Sequence, residues 1–74
     1  MTHLPVCSGA EAIHAFERAG WQRRRQRGSH VTLVKPESSV ILTVPLHAAL
    51  DRGLLRSLIR KAGLAVEEFS DLLR

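Results

Sequence analysis

The chain has 74 residues and 45% hydrophobic content, which makes one domain with a thin core, since a chain of this size buries only about 60% of the surface its unfolded form exposes. Nothing in it is apolar over a long enough run for a membrane helix, and the N-terminus lacks the charged and apolar regions of a signal peptide, so a cytoplasmic protein is expected. The net charge of +4 is unevenly placed: Arg23 to Lys35 holds five basic residues and no acidic one, whereas Glu67, Glu68 and Asp71 gather near the C-terminus. Such a basic strip points to a polyanion, usually nucleic acid. The lone cysteine, Cys7, excludes an internal disulfide, and with four scattered histidines it makes no zinc constellation, so no metal and no cofactor is expected.

Residues 1–7 carry Pro5 and no periodicity, and are expected as a flexible leader to a single domain over 8–74. Ser8 followed by Glu11 has the spacing of a reciprocal cap, the serine oxygen accepting from a first-turn N–H while the carboxylate reaches back to the serine N–H, so a helix is predicted to start there. Ala12, Ile13, Phe16 and Ala19 then share a face, and Gly20 suits the left-handed position past the helix end. From Trp21 to Arg27 the alternation leaves almost no apolar face, as in an edge strand pinned by Trp21, where charge also deters edge-to-edge pairing. Gly28-Ser29 turns the chain, and His30 to Lys35 forms a second strand. Its period of two sends Val31 and Leu33 to the core and leaves His30 and Thr32 on the open face, with Val34 an apolar exception there.

Lys35 to Ser39 is turn chemistry, and Val40 to Val44 is a third strand stopped by Pro45, with Val40, Leu42 and Val44 inward. Leu55, Leu58, Ile59 and Ala62 fall at helical spacing between Asp51, a cap, and Gly63. Arg52, Arg56 and Arg60 form a stripe on another side of that helix, which reads either as a solvated face or as the seat of something acidic. Val66, Phe69 and Leu73 share one face of a short last helix that would close the core. The order of elements predicts an α+β sandwich with a three-stranded antiparallel sheet, helices on one face and an open, basic second face. By that order it resembles the double-stranded RNA-binding domain.

Within this frame, Arg25-Gln26-Arg27-Gly28-Ser29-His30 reads either as part of a solvated edge strand with an ordinary hairpin turn and an exposed polar histidine, or as the stretch that carries chemistry. A histidine moves protons near neutrality, and guanidinium forks hold phosphate while it does. Gly28 can adopt positive φ and bring backbone N–H groups against phosphate, with the Ser29 hydroxyl as a further donor. The candidate RNA-binding set is therefore Arg23, Arg25, Arg27, Gly28, Ser29 and Lys35, around His30 as general acid or base. His47, just past Pro45, is a secondary acid–base candidate, while His3 and His14 fit no constellation. Trp21 is assigned to the core rather than to base stacking, so binding would rest on phosphate and shape.

Several segments, Gly20-Trp21, Arg25 to His30, Thr43-Val44-Pro45-Leu46-His47, and Gly53 to Ile59 with Ala62-Gly63-Leu64, look like one family, the HicA toxins of bacterial toxin–antitoxin systems. Ser8-Gly9 and Glu11 also fit, as does the tail Val66-Glu67-Glu68-Phe69. The resemblance implies a ribonuclease cleaving single-stranded or structured mRNA, a fold like the double-stranded RNA-binding domain, and a HicB-like antitoxin that blocks the active site. No membrane or metal partner is implied, and weak self-association stays open. The family's catalytic histidine follows Gly-Ser and maps onto His30. Many members carry a second histidine next to it, where this chain has Val31. A non-catalytic RNA-binding module, and a protein-interaction module whose arginine stripe meets an acidic partner, are the alternative readings.

Overall fold

A computed structural model describes residues 3–74, with the element order α1 (Gly9–Arg18), β1 (Gln22–Arg27), β2 (His30–Val34), β3 (Ile41–Pro45), α2 (Arg52–Lys61) and α3 (Val66–Leu72). The architecture is α+β, as the element order predicts. The Ser8 Oγ accepts from the Glu11 N–H at 3.0 Å and the Glu11 carboxylate accepts from the Ser8 N–H at 2.8 Å, so both sides of the cap form at the start of α1. At its other end Gly20 sits at φ +100°. There the Gly20 N–H donates to the Glu17 carbonyl and the Trp21 N–H to the Phe16 carbonyl, both at 3.0 Å, which turns the chain directly into the sheet. The same closure recurs after α2, where the Leu64 N–H donates to the Ile59 carbonyl at 3.1 Å beyond Gly63.

The three strands lie in the order β1-β2-β3, antiparallel throughout. Val31 opposes Val44 and Leu33 opposes Leu42, so four apolar side chains from neighbouring strands form one patch. Ala12, Ile13 and Phe16 of α1 and Leu55, Leu58 and Ile59 of α2 cover it, and Phe69 of α3 joins the same core against Phe16. The Phe16 and Phe69 rings stand 5.1 Å apart and tilted, and each is fully buried. Burial of one such side chain contributes about 1.5–3 kcal/mol.

The structure corrects two sequence expectations. The leader is tied down: Leu4 and Cys7 are buried in the core beside Leu50, and the Leu50 N–H donates to the Cys7 carbonyl at 2.9 Å. A thin core recruits apolar side chains from any segment that crosses it, and an extended segment needs no helical or strand period to deliver them. Met1 and Thr2 lie outside the described residues. The third strand also begins one residue later than expected. Val40 precedes it and is exposed, while Pro45 ends it, buried and opposite His30. A proline is tolerated there because β3 is an edge strand.

Candidate nucleic-acid interface

Residues that oppose one another across an antiparallel ladder share a face. Arg27 opposes His30 and Arg25 opposes Thr32, whereas Gln26 opposes the buried Val31. Arg25 and Arg27 therefore join His30 on the side of the sheet away from the helices. Had β1 alternated without interruption, Arg23 would stand with them. A register shift between Arg23 and Arg25 makes Arg24 the extra residue of a bulge and puts Arg23 opposite buried Leu33. On that helix side the Arg23 Nε lies 3.3 Å from a Glu17 carboxylate oxygen.

Lys35 is also absent from the group around His30. It follows the far end of β2, roughly 17 Å along the strand, and its Nζ stands 5.9 Å from the centre of the Trp21 ring. Trp21 itself is buried, in agreement with its assignment to the core. Of the predicted set, then, the fold brings Arg25, Arg27, Gly28 and Ser29 to His30 and leaves out Arg23 and Lys35. It adds Arg24, which sequence reasoning missed, since no glycine or turn signal marks the bulge. Arg24 lines a shallow open depression of about 320 Å³ with Arg25, Thr32 and Ile41.

His30 is presented by backbone that is held from both sides. The turn before it uses Gly28 at φ +58°, with open space where a side chain would project. The Gln26 side-chain amide donates to the Gly28 carbonyl at 3.0 Å. On the other side the Leu46 N–H donates to the Ser29 carbonyl at 2.7 Å, fastening the turn to the end of β3. That end is fastened in turn to α1, because the Gly9 N–H donates to the His47 carbonyl at 2.9 Å. The approach there is so close that a Cβ on Gly9 would lie 1.9 Å from the Pro45 carbonyl oxygen. His47 is thus brought into the neighbourhood of the turn, two residues past the residue opposite His30, and like Arg27, Ser29 and His30 it is exposed.

Among the described residues the ion pairs are Arg23 with Glu17 and, if the ring is protonated, His14 with Glu17 at 3.6 Å. Arg24, Arg25 and Arg27 have no carboxylate partner. Arg52, Arg56 and Arg60 lie exposed along α2, in the helical layer. Burial, with a smaller contribution from the Glu11 charge, pushes the Cys7 thiol up, which disfavours the thiolate form. No three His, Cys, Asp or Glu side chains among the described residues gather where they could hold a metal ion. No helix there is long and apolar enough to cross a membrane.

A family model described as the HicA toxin of bacterial toxin–antitoxin systems matches residues 9–64. Comparison with curated proteins finds no match. The matched span runs from the first residue of α1 to the turn that closes α2, and so contains the whole sheet, the Gly28-Ser29 turn and His30. It covers most of the chain and leaves out residues 1–8 and 65–74, and on that match the chain belongs to the HicA toxin family of bacterial toxin–antitoxin systems.

Proposed function

We propose that the chain is a toxin endoribonuclease that cuts mRNA on the open face of its sheet, with His30 as the proton-transfer group. The observation that carries the reading is the exposed His30 opposite Arg27 at the end of a hairpin, with Arg25 on the same face and no carboxylate pairing either guanidinium. In this reaction the 2′-hydroxyl of the ribose attacks the adjacent phosphorus, the bond to the 5′-oxygen breaks, and a 2′,3′-cyclic phosphate forms. One proton leaves the 2′-oxygen and one reaches the departing 5′-oxygen, so a base and an acid are needed. His30 serves as one of them, and His47, on the segment fastened to the turn, is the candidate for the other. The guanidinium groups of Arg25 and Arg27 bind the nonbridging phosphate oxygens, where negative charge builds at the transition state.

The Gly28-Ser29 turn adds donors that cost little to bring near phosphate, because Gly28 leaves open space. An antitoxin of the HicB family would inhibit by covering this same exposed face, and an acidic segment would satisfy the unpaired arginines. The test is cleavage of a defined mRNA by wild type and by His30→Ala. Loss of cleavage by about 100-fold or more, with RNA affinity kept, is the expected result. Full cleavage by His30→Ala would overturn the assignment, and binding without cleavage by wild type would make the chain an RNA-binding module. An RNA with one 2′-deoxy nucleotide at the cut site should resist cutting.

A further inference from the structure

We infer that the depression bounded by Arg24, Arg25, Thr32 and Ile41 is a nucleotide subsite, holding the residue of a single RNA strand next to the phosphate at His30. The inference rests on the ribonuclease reading above and assigns a site to it. Its first support is the bulge, which breaks the alternation of β1 and leaves Arg24 beside Arg25 on one depression. Bulges near active sites commonly re-aim a side chain in this way. The second support is chemistry. The lining has two guanidinium groups without carboxylate partners, one hydroxyl and one apolar side chain, Ile41, which is 51% exposed. A nucleotide offers the matching surfaces, a charged phosphate and a flat face that stacks on guanidinium planes or apolar side chains.

The third support is continuity. Thr32 follows His30 by two residues on the same face of β2, and Arg25 and Arg27, opposite these two, form the adjoining row. A strand whose scissile phosphate lies at His30 and Arg27 therefore runs directly over Thr32 and Arg25 toward Ile41. Arg24 and Ile41 hold substrate there, and neither touches the reacting atoms.

The test uses the full chain and a fluorescent single-stranded oligoribonucleotide of mixed sequence, with affinity read in the His30→Ala background and KM and kcat in the active one. Arg24→Gln should weaken affinity and raise KM roughly tenfold with kcat nearly unchanged. Its slope of log affinity against log salt should fall by about 0.7, the contribution of one phosphate contact to a single strand. Ile41→Ser should weaken affinity roughly threefold with the salt slope intact. Arg60→Gln, the same loss of charge on α2, should shift affinity by less than about twofold. Equal effects from Arg24→Gln and Arg60→Gln would overturn the subsite in favour of diffuse attraction. Unchanged RNA affinity together with weakened binding of an acidic protein partner would overturn it in favour of a protein-docking face. If wild type binds the probe without cutting it, the ribonuclease reading falls while the affinity arm still judges the subsite. If wild type neither binds nor cuts, both fall.

Discussion

The two sides of the β1–β2 hairpin use the same residue type in opposite ways. Toward the helices, the Arg23 Nε reaches Glu17 at 3.3 Å, and the Arg18 guanidinium on α1 donates to the Leu72 and Arg74 carbonyls at 2.7 and 2.6 Å, closing the end of α3. These cations serve the fold. On the other side Arg24, Arg25 and Arg27 have no carboxylate partner among the described residues, and a cluster of unpaired cations contributes nothing favourable to folding. The side of the pleat decides which arginines stand with His30, and it sets Arg23 beside Glu17 instead.

That contrast breaks or sharpens under substitution. The largest effect belongs to the open side: His30→Ala should lower RNA cleavage by about 100- to 10,000-fold, while thermal unfolding shifts by no more than an exposed substitution normally causes, about 0.5 kcal/mol. A large loss of stability would mean that the ring is a structural element. Phe69→Ala, in the helical layer, should cost about 3–5 kcal/mol in urea unfolding, most of the stability of a domain this small, and should reduce activity only in proportion to the unfolded fraction. Gly9→Ala sits on the seam between the two sides. Its collision with the Pro45 carbonyl should cost about 2–3 kcal/mol and also reduce kcat, because the segment it displaces is bonded to the Ser29 turn. Unchanged kcat in the folded variant would show that the turn holds His30 without that brace.

Smaller effects separate the sides further. Ser8→Ala removes the hydroxyl oxygen that accepts from the Glu11 N–H and should cost about 1 kcal/mol, read as a lower midpoint in urea. Arg23→Gln should cost at most about 1 kcal/mol and leave RNA affinity far less altered than Arg25→Gln does. Equal losses of affinity from those two substitutions would mean that RNA does not distinguish the faces.

Much of this was readable from the chain because the rules involved span only a few residues. Ser8 and Glu11 announce a helix start, Gly20 and Gly63 announce its ends, and Val31 and Leu33 are placed inward by alternation alone. The same alternation places His30 outward, next to a turn that Gly28 makes geometrically available. The misses share a different cause. Leu4 and Cys7 are buried in a core that includes Leu50, far along the chain, whose N–H donates to the Cys7 carbonyl, and Lys35 stands at the far end of β2 from His30 with its Nζ 5.9 Å from the Trp21 ring centre. Nothing within a few residues of Leu4 or Lys35 encodes either partner.

The amino-acid sequence by itself determined the order of elements, their caps, the core side of β2 and the family, since each depends on neighbours in the chain or on motifs in fixed order. Tertiary structure alone decided the membership of the basic face. Pairing between strands chose where β1 bulges, and so exchanged Arg23 for Arg24. The close passage of α1 over the end of β3 chose which backbone groups hold the Ser29-His30 corner. Register is a property of two strands together, and no single strand carries it.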